Sequence, residues 1–210
     1  SEAIRVTGNP VIDALQMTAA RPPSPEVERL TSELGLRDPD RRLVLVTAHR
    51  RENFGRPLER ICTALRCLAE AYPEVRFVYP VHLNPHVQEP VYRLLGGIPN
   101  FSLLPPLDYL PLVHLLKRAT LLLTDSGGLQ EEAPGLGVPV LVLREVTERP
   151  EGVEAGTVKL VGADSERILN EARQLLDDPL AHAAMAQAVN PYGDGRAAER
   201  IVESLLEFSR

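Results

Sequence analysis

The sequence predicts an α/β domain built on a six-stranded parallel sheet. Three observations point there. Six apolar runs of four to seven residues recur along the chain, rich in Val, Leu or Thr and flanked by Pro, Gly, Asp or Asn. They hardly alternate between polar and apolar, as strands buried on both faces do. The stretches between them carry helical periodicity, so strands and helices alternate. At 210 residues the chain can bury one sizeable core or two small ones.

The elements follow in order. Residues 1–40 read as a helical lead-in. Its helix spans 25–34, with Ser24 as the N-cap and Gly35 as the stop. The chain opens without Met, and Ile4 to Val6 reads as the end of something already under way, so a piece of a longer protein is expected. The sheet domain, 41–190, starts with a strand at 43–47. The helix at 57–72 places Leu58, Ile61, Leu65, Leu68 and Tyr72 on one face, with Glu59, Arg60, Arg66 and Glu70 mostly elsewhere. Pro57 suits its first position. Strands at 75–81, 101–104 and 120–124 enclose helices at 85–95 and 109–118. The helix at 129–136 contains Pro134, so it should be short or kinked there. Strands at 138–143 and 157–161 complete the sheet. Helices at 165–176 and 180–188 follow, and one at 197–208 occupies the closing segment, 191–210.

Right-handed crossovers restrict the topology. In the common order 3-2-1-4-5-6, strands one and four are adjacent and ligands bind outside their carboxyl ends. The loops leaving those strands are 48–55 and 125–128. They are the most polar, motif-like loops of the chain, and they would face one crevice.

Bulk properties exclude some classes. Net charge is −6, and no Lys or Arg cluster is long enough to track a nucleic acid backbone. No window approaches 18 consecutive apolar residues, and no basic segment precedes a short apolar one, so neither membrane nor secretion is implied. Cys62 and Cys67 sit five apart, the wrong spacing for one helix face, which fits a cytoplasmic protein without a disulfide. No His, Cys, Asp and Glu cluster has metal-ligand spacing. Neither Gly-Lys-Ser/Thr after a Gly-rich loop nor Gly-x-Gly-x-x-Gly after a first strand occurs, which excludes a P-loop and argues against NAD.

The candidate chemistry lies in the two loops. Ser126, Gly127 and Gly128 follow an apolar run and open a helix, which aims backbone N–H groups at an anion. Glu131 and Glu132 come one turn in. One of them can accept from two vicinal hydroxyls, as a ribose presents; position favours Glu132, and helical spacing keeps the two apart. Arg149 follows the fifth strand and can reach a phosphate bidentately. His49 ends the first strand, where it can bind phosphate or transfer a proton. His82 ends the second strand similarly.

Taken together these segments resemble the non-hydrolysing UDP-N-acetylglucosamine 2-epimerases. The resemblance rests on Gly8-Asn9-Pro10, Thr47-Ala48-His49-Arg50-Arg51-Glu52-Asn53, Pro80-Val81-His82-Leu83-Asn84-Pro85 and Pro105-Pro106-Leu107-Asp108-Tyr109. It continues through the stretch from Thr124 to Pro134, Thr147-Glu148-Arg149-Pro150-Glu151 and Asn190-Pro191-Tyr192-Gly193-Asp194-Gly195. It implies a Rossmann-like domain, one half of a GT-B type two-domain fold, with this chain as the nucleotide-binding half.

By that resemblance, Ser126, Gly127 and Gly128 hold the UDP diphosphate with Arg149 and His49 nearby, and Glu132 binds the ribose. Residues 107–112, bounded by Leu107 and Leu112, flank the uracil. Arg50 and His82 match positions implicated in binding a second, regulatory UDP-GlcNAc. The implied reaction exchanges UDP-GlcNAc with UDP-ManNAc through 2-acetamidoglucal, with neither cofactor nor metal. The family's main acid–base carboxylates belong to the other domain, and the full-length protein is expected to be a homodimer. Alone, this chain is expected to bind UDP weakly without epimerising. A UDP-sugar glycosyltransferase of the same fold class and a non-catalytic nucleotide-binding module are the alternatives.

Overall fold

The computed structural model describes residues 4–208. Residues 1–3 of the predicted lead-in and 209–210 of the closing segment lie outside the described residues.

Six strands form one parallel sheet: β1 (Leu43–Thr47), β2 (Arg76–Pro80), β3 (Phe101–Leu104), β4 (Leu121–Thr124), β5 (Val140–Val142) and β6 (Val158–Leu160). Their order is β3-β2-β1-β4-β5-β6, so β1 and β4 are adjacent as expected. The predicted runs are longer than the strands by one to three residues at 75–81, 120–124, 138–143 and 157–161. The extra residues border the ladder: the Val81, Thr120, Leu143 and Val161 N–H groups still bond to a neighbouring strand.

β1, β4 and β5 are buried along their whole length because each face meets a different layer. Val44, Val46, Leu121 and Leu123 turn to the core under α3 (Arg56–Ala71), α4 (Pro85–Leu95) and α8 (Ser165–Asp177). Leu43, Leu45, Leu122 and Val140 turn to the opposite core, with Leu115 and Leu116 of α5 (Tyr109–Arg118) and Leu129 of α6 (Gly127–Glu132). In α3 the predicted face is buried, from Leu58 through Ile61 and Leu65 to Leu68. Cys62 joins that buried face, while Cys67 is half-exposed; both are free thiols.

The helix predicted at 129–136 divides. α6 stops at Glu132, and residues 133–136 continue as a 3-10 turn through Pro134. Gly137 then reverses the chain at φ 72°, a left-handed value that glycine adopts without strain.

The lead-in contains two helices, α1 (Pro10–Ala19) and α2 (Pro25–Glu33), where the periodicity marks one. Asn9 caps α1 by accepting from the Val11 N–H, and Leu15 and Ala19 pack on Val113 of α5. A five-residue helix, α7 (Pro150–Glu154), and a 3-10 turn at Arg51–Asn53 also escape the periodicity, since neither spans two turns. After α9 (Pro179–Ala186), α10 (Ala197–Phe208) returns to α1. Asp13 of α1 accepts from the Ala197 and Ala198 N–H groups at 3.2 and 2.9 Å, satisfying donors at the start of α10. On α10, Leu205 and Leu206 are exposed and Ile201 is half-buried. No described helix is long and apolar enough to cross a membrane.

Candidate functional site

The site starts where β1 and β4 end. Thr47 and Thr124 are register partners, and their hydroxyls lie 2.6 Å apart. β4 then delivers Asp125, which is fully buried. A carboxylate at that depth is costly unless its oxygens are satisfied. These accept the backbone N–H groups of His49 and Arg50, both at 2.8 Å, and the Asn53 side-chain amide at 3.0 Å. Asn53 also donates to the Leu143 carbonyl at 3.1 Å. One carboxylate thus fastens the loop after β1 to the turn after β4, and Asn53 extends the hold past β5. From β2, the Tyr79 hydroxyl donates to the Ala48 carbonyl.

A cavity of about 290 Å³ opens over these strand ends. His49, His82, Ser126, Gly128 and Glu132 supply its polar lining, and Pro106, Leu112 and Leu129 give it an apolar side. The imidazoles of His49 and His82 stack, with centroids 5.4 Å apart and planes 13° apart. Burial pushes the His49 pKa below its usual value; Asp125 opposes that, while His82 and Arg50 add to it.

Ser126 is the N-cap of α6, yet its hydroxyl makes no capping bond. The first N–H groups of this helix have no carbonyl a turn earlier, so they suit an anion. Gly127 and Gly128 keep the approach clear. A Cβ on Gly127 would meet Arg50 Nη2 at 3.6 Å, which puts that guanidinium at the same helix start. Arg50 therefore borders the site although it does not line the cavity.

Glu131 and Glu132 part company, as their spacing requires. Glu132 turns into the cavity and accepts the Tyr109 hydroxyl at 2.9 Å. Burial pushes its carboxyl up; the Tyr109 hydrogen bond counters this and Glu131 reinforces it. Glu131 is 5% exposed and accepts from Asn9 Nδ2 and Arg149 Nε. Asn190 Nδ2 donates to the Glu131 carbonyl at 3.2 Å.

Of the expected residues, Arg50, Gly127, Arg149 and Leu107 do not line the cavity, and the first two border it. Arg149 is absent from the cavity lining, and its guanidinium pairs with the buried Glu131. Leu107 is half-buried and packs on the core beneath α5, where an apolar side chain gains more than at a wet rim. Sequence reasoning missed Asp125 as an organiser and Tyr109 as the partner of Glu132. A signal for Asp125 exists: a carboxylate directly after a fully apolar strand needs a partner.

A larger cavity, about 440 Å³, lies beside Asn53 and is lined by Glu52, Arg60, Arg144, Glu145 and Asp164 among others. Size alone would favour it. However, Arg144 is already paired with Glu52 and Glu148, and three carboxylates oppose an anion, so the chemistry favours the smaller crevice. Among the described residues, no group of three or more His, Cys, Asp or Glu could hold a metal ion.

The UDP-N-acetylglucosamine 2-epimerase family model matches residues 1–206. A UDP-N-acetylglucosamine 2-epimerase of Escherichia coli K12 is 53% identical over 206 residues, covering 96% of this chain and 54% of the relative. The Neisseria meningitidis UDP-GlcNAc 2-epimerase, solved bound to UDP-GlcNAc, superposes with a TM-score of 0.89 at 44% identity, over 98% of this chain and 57% of that one. The S. aureus MnaA–UDP structure gives 0.89 at 43% identity, over 99% and 55%. The chain thus spans about half the length of these relatives. With that match across nearly every residue, this chain belongs to the UDP-N-acetylglucosamine 2-epimerase family.

Proposed function

We propose that this chain is the UDP-binding part of a non-hydrolysing UDP-GlcNAc 2-epimerase. The observation that carries the reading is the crevice at the β1/β4 switch point, where a serine hydroxyl that makes no capping bond, bare glycine backbone and a buried glutamate meet. In this reading the diphosphate sits on Ser126, Gly127 and Gly128, with His49 beside it. The Glu132 carboxylate accepts from the ribose diol, displacing or sharing the Tyr109 hydroxyl. Leu112 and its neighbours flank the base. Arg149 reaches the diphosphate by leaving Glu131. Arg50 and His82 serve a second, regulatory nucleotide sugar.

The whole protein then interconverts UDP-GlcNAc and UDP-ManNAc. A base removes the C2 proton, and the C1–O bond breaks with its electrons passing to the β-phosphate oxygen. UDP leaves, 2-acetamidoglucal forms, and addition with reprotonation on the other face of C2 gives the epimer. Charge grows on the departing diphosphate, so fixed N–H donors and a protonatable His49 lower the barrier most at that moment. The carboxylates that move the C2 proton belong to the other half of the protein. Residues 1–40 lead in from that half, 41–190 form the nucleotide domain, and 191–210 return to it. The full-length enzyme is read as a cytoplasmic homodimer that does not bind nucleic acid. A glycosyltransferase would use similar nucleotide contacts, but the family match favours the epimerase.

Calorimetric titration with UDP tests the reading. Binding by this chain that a Ser126→Ala, Glu132→Ala double variant loses supports it. No binding by the folded chain sinks it.

A further inference from the structure

The two stacked histidines hold different nitrogens against the protein. His82 Nδ1 accepts the backbone N–H of Asn84 at 3.1 Å. An accepting nitrogen carries no proton, so neutral His82 is protonated on Nε2. His49 meets the opposite partner. Its Nδ1 lies 3.6 Å from Asp125 Oδ1, beyond a hydrogen bond but at ion-pair range. That carboxylate is fully buried and is held in place by two backbone N–H groups and the Asn53 amide. A fixed anion beside Nδ1 favours a proton there.

We propose that Asp125 is a positioning residue that keeps the proton of neutral His49 on Nδ1, so that the stacked pair offers a ligand one accepting Nε2, from His49, and one donating Nε2, from His82. A phosphate oxygen of the second nucleotide sugar finds His82 ready to donate, while the UDP diphosphate meets His49. His49 takes up a proton on Nε2 to do the same, leaving an imidazolium between the anion and Asp125. Binding is therefore coupled to uptake of one proton at His49.

The groups around His49 fit that device. Arg50 from its own loop and His82 from the loop after β2 resist a charge on it. Asp125 from β4 favours one. Across the crevice stand Glu132 of α6 and Tyr109 of α5, which bond to each other. Without Asp125, burial and the nearby Arg50 guanidinium would leave His49 reluctant to protonate near neutral pH. The coupling to a nucleotide rests on the UDP reading above, whereas the tautomer assignment does not.

The experiment is long-range ¹⁵N–¹H correlation NMR of the ligand-free chain, followed through pH, on the wild type and Asp125→Asn. The asparagine keeps an oxygen for the backbone donors and removes the charge. The expected wild-type result is His49 protonated on Nδ1 and His82 on Nε2. In the variant the His49 midpoint falls, and the His82 tautomer is unchanged. Calorimetry with UDP forms the second arm. Wild-type affinity rises as pH falls through the His49 midpoint, and in the variant that rise moves to lower pH. A wild-type His49 protonated on Nε2 overturns the proposal even if the variant does not fold. An unchanged midpoint in a folded variant also overturns it, because a merely structural carboxylate would leave titration untouched. Failure of UDP to bind would instead count against the nucleotide reading, with the tautomers still deciding the role of Asp125.

Discussion

Asn53 shows how much of the site hangs on single buried polar groups. Its side chain is 5% exposed and divides its two donors between Asp125 and the Leu143 carbonyl. Asn53→Ala strips one donor from a buried carboxylate and leaves a buried carbonyl unmatched. The expected cost is about 2 kcal/mol of unfolding free energy in urea titration, the penalty of orphaned buried groups. A loss under about 0.5 kcal/mol, the level of an ordinary surface change, would mean that water takes over both contacts. At this scale the sequence marks His49, Ser126, Gly128 and Glu132 through their places at strand and helix ends. It is silent on pairing: nothing near Glu131 in sequence announces Asn9, 122 positions away.

Among the elements, α6 couples folding and binding most directly. Gly127 is its first residue and has an ordinary helical backbone, since it is not among the positive-φ glycines. A Cβ there meets only Arg50 Nη2, at ordinary contact distance. Gly127→Ala should therefore leave the fold intact and stabilise it by about 0.5 kcal/mol, through lost freedom of the unfolded chain. The added methyl group crowds the bare backbone that a diphosphate would approach. UDP affinity should fall about tenfold, equivalent to one lost hydrogen bond. Thermal melts and calorimetry on the same sample check both signs; a variant that is less stable and binds UDP normally would contradict the account. The long helices are legible because α3 and α8 repeat an apolar stripe over three or more turns. α7 and the 3-10 turn at Arg51–Asn53 are too short to repeat anything. α1 is signalled by the Asn9 cap and Pro10 rather than by a long stripe.

Across the whole molecule, His49 and Glu132 are two shifted groups in one crevice that oppose charge. His49 has a folded pKa below its unfolded 6.5. The unfolded chain then binds more protons between the two values, so this contribution to stability is full above about 6.5 and is lost as pH falls through the folded pKa. Glu132 shifts upward from 4.5, so its contribution is present below 4.5 and is lost as pH rises through its folded value. Melting temperatures of wild type and His49→Gln, compared from pH 7.5 down to about 5, check the first sign. The wild type should lose ground to the variant on acidification, and a constant difference would show that His49 titrates as it does unfolded.

By itself, the sequence determined the layered architecture and, once the common strand order is taken, the place of the crevice; the order itself is a fact of the folded sheet. The architecture follows from apolar runs, helical stripes and right-handed crossovers, all local or chiral constraints on one chain. Tertiary structure alone decided that Asp125 joins the two loops and that Tyr109 holds Glu132. It also decided that His49 stacks on His82 and that Arg149 pairs with Glu131. The physical reason is that each of these contacts joins side chains from different elements. Their choice of partner depends on distances and burial that exist only after the strands have paired and the helices have docked.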